Sequence, residues 1–198
     1  MIEAAESIFV DLQGALAAAD VAAVLLRLAD ADDRTLINRV KALAPMVQDS
    51  GAALLLVGHP ELATPLGADG THLTGIDAFS AAVADLKPER IAGAGGLVTR
   101  HDSMLAAEAG ADYVMFGEPD ADGHRQSFEA IIERVEWWAE VFQAPCVGFA
   151  QTLEEITPLA RAGGDFIALG DLVFADPRGP SLTLAAAAER LKLAEPVQ

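Results

Sequence analysis

Basic side chains, sulfur and aromatic rings are scarce in this chain. Thirteen Lys and Arg stand against 30 Asp and Glu, a formal net charge of −17. A surface of that sign repels phosphate backbones and anionic lipid, which argues against binding to nucleic acid or to a membrane surface. It also obliges any phosphorylated ligand to find local cations or a bound metal. One cysteine, Cys146, cannot build a disulfide framework or a cysteine metal cluster. Set between Pro145 and Val147, it reads as a buried strand thiol. No apolar run approaches the roughly 20 residues of a membrane span, and the N-terminal MIEAAESIFVDLQ is acidic where a signal peptide is basic. A cytoplasmic protein is the expectation.

What the chain does have is apolar residues and glycine. Its 198 residues are 52% hydrophobic and include 17 glycines, which suits one α/β domain spanning 1–198. From Arg34 to Gln48, residues Leu36, Ile37, Val40, Leu43, Ala44 and Val47 recur at helical spacing, with Asp32 and Asp33 as candidate caps. Phe128 to Phe142 repeats the pattern and makes Trp137 and Trp138 shoulder and core of a helix. Glu6 to Ala19 places Phe9, Leu12 and Leu16 on one face. Between helices lie short apolar runs: Ala22 to Leu28, Ala53 to Val57, Thr71 to Leu73, Arg90 to Ala94, Tyr113 to Phe116, Cys146 to Phe149 and Phe166 to Leu169. Runs of this kind alternating with helices indicate parallel strands covered on both faces.

One phrase recurs: Gly67-Ala68-Asp69, Gly110-Ala111-Asp112 and Gly163-Gly164-Asp165. Each glycine suits the left-handed position that ends a helix, and each aspartate precedes a strand. Thr99 with Asp102, and Thr152 with Glu155, read as caps opening helices. In a βα barrel the helix-to-strand turns form the face opposite the chemistry, so the three aspartates read as structural. Functional candidates belong at the strands' C-terminal ends. These are Arg27, His59 after Gly58, Asp77, Gly93 to Gly96, the acidic segment Glu118 to Arg125, and Gly170-Asp171. His72, inside its strand, points into the barrel or its wall.

Three phrases in order, VLLRLAD (24–30), GADGTHL (67–73) and AGADYVMFG (109–117), make the chain resemble the thiamine phosphate synthase and thiazole tautomerase family of (β/α)8 TIM barrels. The similarity runs over about residues 15–175. It implies thiamine biosynthesis: coupling of a pyrimidine diphosphate to a thiazole phosphate, with magnesium neutralising the departing diphosphate. Arg27 then corresponds to a substrate-contacting arginine and Asp77 to one of two magnesium aspartates; the other's position reads Gly58-His59. Gly95-Gly96 replaces a serine-threonine phrase, and Glu118 to Arg125 replaces a lysine-containing loop. Gly170-Asp171 replaces a phosphate-binding serine. Gly170 amides suit a phosphate, but a like charge at Asp171, about 5 Å away, opposes it by roughly 3 kcal/mol at an effective dielectric near 20.

The departures leave several functions open: a diverged synthase, a metal-independent tautomerase-like isomerase, or a barrel that binds a small ligand or protein without turnover. His59, His124 and Glu118 are the candidates for proton transfer. Glu118, Asp120, Asp122 and His124 also have the oxygen-rich character of a cation site. Arg178, in the turn Asp176 to Pro180, has the length to bring a positive charge over the site. No first barrel strand precedes Glu6 to Ala19, so the expected barrel lacks it. The resulting open edge invites pairing with a second chain, hence a homodimer.

Overall fold

In the computed structural model, which describes residues 2–29, 32–120 and 122–194, helices and strands alternate along the chain. They are α1 (Ile2–Ala18), β1 (Ala23–Leu26), α2 (Asp33–Asp49), β2 (Ala53–Val57), α3 (Pro60–Leu66), β3 (Gly70–Thr74), α4 (Ile76–Leu86), β4 (Ile91–Gly95), α5 (Arg100–Glu108), β5 (Tyr113–Phe116), α6 (Phe128–Val141), β6 (Cys146–Ala150), α7 (Leu153–Arg161), β7 (Phe166–Leu169), α8 (Leu172–Ala175) and α9 (Pro180–Lys192). The side chains of residues 2–9 and of Asp33 lie outside the described set. So do Asp30 and Ala121, and with them the readings that fell on Phe9, Asp33 and the end of VLLRLAD.

The strands form one parallel sheet in chain order, β1 to β7. Among the described residues this matches the expectation of a parallel α/β sheet without a first barrel strand, seven strands in all, and the closed (β/α)8 barrel is cut back to this curled seven-stranded sheet. Nothing described pairs with the outer edges of β1 and β7. The helices meet where the strands do not: α1 packs on both α2 and α9, and α9 packs on α7.

Strand side chains alternate between two environments, as the pleat requires. Leu54 and Leu56, Ala92 and Ala94, Val114 and Phe116, and Ile167 and Leu169 join the core shared with the helices. Buried Leu55, Met115 and Val147 sit in the opposite phase, on the inner face of the curl. Trp138 is fully buried, stacked on Phe142, while Trp137 is only partly buried.

The glycine-aspartate phrases explain the register. Asp69 donates its backbone N–H to the Leu54 carbonyl while its carboxylate accepts the Leu54 N–H at 2.7 Å. Asp112 makes the same pair with Ala92, and Asp165 with Cys146, at 2.7 and 2.8 Å. Each aspartate thus satisfies both backbone groups of the first or second residue of the neighbouring strand, and locks adjacent strands at the N-terminal end of the sheet. Gly67, Gly110 and Gly163, at φ of 71°, 98° and 99°, turn the chain into that position.

Two of the expected caps form. Asp32 accepts from Thr35 N, and Thr99 with Asp102 makes a reciprocal capping box. The third does not: Thr152 makes no side-chain cap bond, and Glu155 instead accepts the N–H of Gln151 and a bond from Arg125. A guanidinium beside the helix start competes successfully for the carboxylate.

Candidate functional site

Among the described residues, one polar line crosses an inner face that also carries the buried apolar side chains Leu55, Met115 and Val147. On β4, Gly93 and Gly95 face inward with no side chain. A Cβ at Gly93 would lie 2.1 Å from the Tyr113 ring, and one at Gly95 would lie 2.2 Å from Glu118 Oε2 and 2.5 Å from His72 Nε2. Three polar side chains fill the room these glycines leave. His72, with no exposed surface, lies with Nδ1 2.9 Å from the Tyr113 hydroxyl and Nε2 3.1 Å from Glu118 Oε2. The imidazole and phenol rings stack 5.7 Å apart at 11°.

Burial, then the negative charges of Glu118 and Asp112, push the Tyr113 phenol well above its ordinary pKa. The hydroxyl therefore stays protonated. Opposite the Glu118 carboxylate, Nε2 is the nitrogen that donates, and in the tautomer protonated there alone Nδ1 accepts from the phenol. Glu118 follows Gly117, where a φ of 89° turns the chain at the end of β5. Its carboxylate is 6% exposed, and Oε1 lies 3.7 Å from an Arg27 Nη2 on a side chain that is 72% exposed. That separation is an ion pair rather than a hydrogen bond.

Of the residues singled out from sequence, Arg27, Glu118 and Gly95 come together at this mouth. Gly170 and Asp171 line an adjoining cleft of about 230 Å³ with Pro119, Phe149, Ala150, Gln151 and Leu172, at the C-terminal ends of β6 and β7. This is small beside the roughly 300–1,000 Å³ of typical ligand pockets. The others lie apart. His59 is the N-cap of α3, in the left-handed region at φ 52°, with Nδ1 3.3 Å from Glu61. His124 is 82% exposed, 3.8 Å from Asp120. Arg178 is tied back onto Asp176 by bonds of 2.6 and 2.9 Å, which hold that carboxyl down to about 2. Asp77 is exposed in the first turn of α4.

The inner pair His72 and Tyr113 was the part missed. Its signals were present: the one tyrosine of the chain, out of phase with Val114 and Phe116, and glycines at alternate positions of β4.

With the geometry in hand, comparison with known proteins decides the family. The family model for thiamine monophosphate synthase matches residues 2–173. The chain belongs to the thiamine monophosphate synthase family. Curated relatives agree: the thiamine-phosphate synthase of Rhodospirillum centenum is 37% identical over 182 residues, covering 88% of this chain and 86% of that protein. The synthase of Hyphomonas neptunium is 35% identical over 88% and 82%. Among solved structures, thiamine phosphate pyrophosphorylase from Pyrococcus furiosus superposes with a TM-score of 0.77 at 18% identity, over 94% of this chain and 90% of that one. At that identity the likeness speaks for the fold.

Family membership implies magnesium, and the donor set limits how it can be held. Around Asp77 no group of three ligating side chains gathers among the described residues. An exposed lone carboxylate fits an ion that keeps waters and takes its other ligands from a substrate diphosphate, the usual habit of magnesium. Asp120, Asp122 and His124 do converge, with ligand atoms within 4.8 Å of one another, but all three are exposed and Glu118 is not among them. Among the described residues no helix is long and apolar enough to cross a membrane.

Proposed function

We propose that this chain acts in thiamine biosynthesis as a diverged thiamine phosphate synthase, joining a pyrimidine diphosphate to a thiazole phosphate with release of pyrophosphate. The family match over residues 2–173 carries this reading. Arg27, exposed at the mouth and only loosely engaged, takes a phosphate oxygen by exchanging it for Glu118. Gly170 offers its backbone N–H at the adjoining cleft, and Gly95 leaves the room in which His72 and Glu118 stand at the mouth. Asp77 holds a magnesium ion, which when bound neutralises a departing diphosphate. We place the protein in the cytoplasm, as a single domain, and as a homodimer joined through the open strand edges.

A second reading has its own support. Asp171, exposed in the cleft, repels the phosphate the family pattern expects there, and His59 and His124 lie on separate exposed loops. A barrel that binds its ligand without turnover fits these facts, and a tautomerase working through either histidine fits them less well. The test is an assay for thiamine phosphate from the two phosphorylated substrates, with magnesium and with a chelator. Product formed only with magnesium supports the synthase. No product, with calorimetric binding of thiamine phosphate retained, selects the non-catalytic barrel.

A further inference from the structure

The polar line runs along the inner face of the curled sheet. A carboxylate 6% exposed and an imidazole with no exposed surface are costly to bury. The fold accommodates them by leaving two inward positions of β4 without side chains. Opposite a carboxylate, His72 Nε2 is the nitrogen that donates, and in the tautomer protonated there alone Nδ1 accepts from the Tyr113 hydroxyl, so the hydrogen bonds run one way. The line ends in an acceptor, Oε1, which makes no hydrogen bond to a described residue and faces an Arg27 held no closer than 3.7 Å.

We infer that Glu118 is a specificity-determining residue that receives a cationic or hydrogen-bond-donating group, of the amidine or aminoheterocycle class, with His72 and Tyr113 as positioning residues. His72 occupies Oε2 and fixes the carboxylate plane; Tyr113 fixes the imidazole tautomer. The incoming donor takes the place of Arg27 at Oε1. Arg27, 72% exposed, is then released to meet an anionic group on the same ligand. The mouth thus takes ligands positive at the buried end and negative at the outer end, and rejects those that lead with an anion. This deepens the synthase reading but stands on the geometry of these four side chains.

Titrations separate the two readings. Benzamidinium and benzoate share a shape and differ in the charge they present. The native chain is expected to bind benzamidinium in preference to benzoate. Glu118→Gln should weaken benzamidinium by roughly tenfold or more, the scale of a charge-assisted hydrogen bond, with benzoate unchanged or tighter. His72→Leu should lose as much, while His72→Gln, which keeps an N–H donor, should hold benzamidinium within about threefold. Circular dichroism confirms that each variant folds. Tyr113 is the one tyrosine, so its ultraviolet titration reads the line directly: Glu118→Gln should lower the midpoint because a neighbouring negative charge is removed.

Benzamidinium affinity unmoved by Glu118→Gln in a folded protein, or no preference over benzoate, overturns the inference. Equal loss in His72→Gln and His72→Leu overturns the positioning role. Thiamine phosphate is titrated in parallel. If it fails to bind while benzamidinium depends on Glu118, the synthase reading falls and this one stands; if it binds native and Glu118→Gln protein equally, the reverse holds.

Discussion

At the N-terminal ends of the strands one contact is made three times, by Asp69, Asp112 and Asp165, each closing both backbone groups of the first or second residue of the neighbouring strand. At the C-terminal ends each loop does something different. One holds a histidine in a left-handed conformation, one turns a carboxylate back into the curl, and one ties an arginine onto an aspartate. The aspartates are equivalent because they solve one problem of register. The rim side chains differ because no shared register problem constrains them, and under the function proposed above they meet the distinct parts of a ligand. In this fold repetition marks scaffold and singularity marks chemistry.

Breaking the scaffold side should have the largest effect. Asp69→Ala with Asp112→Ala leaves the N–H groups of Leu54 and Ala92 unpaired. Each loss costs about 1–3 kcal/mol, and distant sites add, so denaturant unfolding should show about 4 kcal/mol less stability. The molecules that stay folded should keep their affinity for thiamine phosphate. The isosteric Asp112→Asn keeps an acceptor and should cost much less.

Gly95→Ala tests the other side. Its methyl group meets Glu118 Oε2 and His72 Nε2, so about 1–3 kcal/mol of overpacking is expected. Unlike the aspartate variants, it should also abolish binding in calorimetry. Retained affinity would separate the glycine from the site.

A smaller effect distinguishes the two ends by pH. Tyr113 holds its proton more tightly folded than unfolded. Its contribution to stability is complete below the unfolded pKa near 10 and is lost as pH rises beyond it, by at most about 1.4 kcal/mol per pH unit. Tyr113→Phe should flatten that alkaline slope in thermal melts.

The smallest expected change is a gain. His59 sits at φ 52°, a conformation costing a non-glycine residue about 1–2 kcal/mol. Allowing for the entropy glycine loses on folding, His59→Gly should stabilise the protein by about 0.5–1 kcal/mol. Stability unchanged, with activity lost, would return His59 to the list of proton-transfer candidates.

Much of this was legible in the residues. The alternation of apolar runs with helical patterns located all seven strands within a residue or two, because covered parallel strands must be apolar on both faces. The aspartates read as structural from their repetition alone. What escaped was partnership. Glu118 reads as the first of several acids in a solvated loop, and only its turn at Gly117 carries it to His72, 46 residues earlier. The Thr152 to Glu155 cap does not form, and Glu155 is instead shared by the Gln151 N–H and by Arg125, a partner 30 residues before it.

The sequence by itself determined the family, the order of strands and helices, the placement of candidates at the strands' C-terminal ends and the shortage of cations there. These follow from local periodicity, turn chemistry and composition, which act over a few residues. The tertiary structure alone decided which candidates meet: that His59, His124 and Arg178 are occupied locally, and that Arg27 after β1, His72 on β3, and Tyr113 and Glu118 on β5 and its turn form one line. The curl of the sheet, and the room left by two glycines of β4, bring these distant groups within hydrogen-bond or ion-pair reach. A distance across a folded sheet has no counterpart in spacing along the chain.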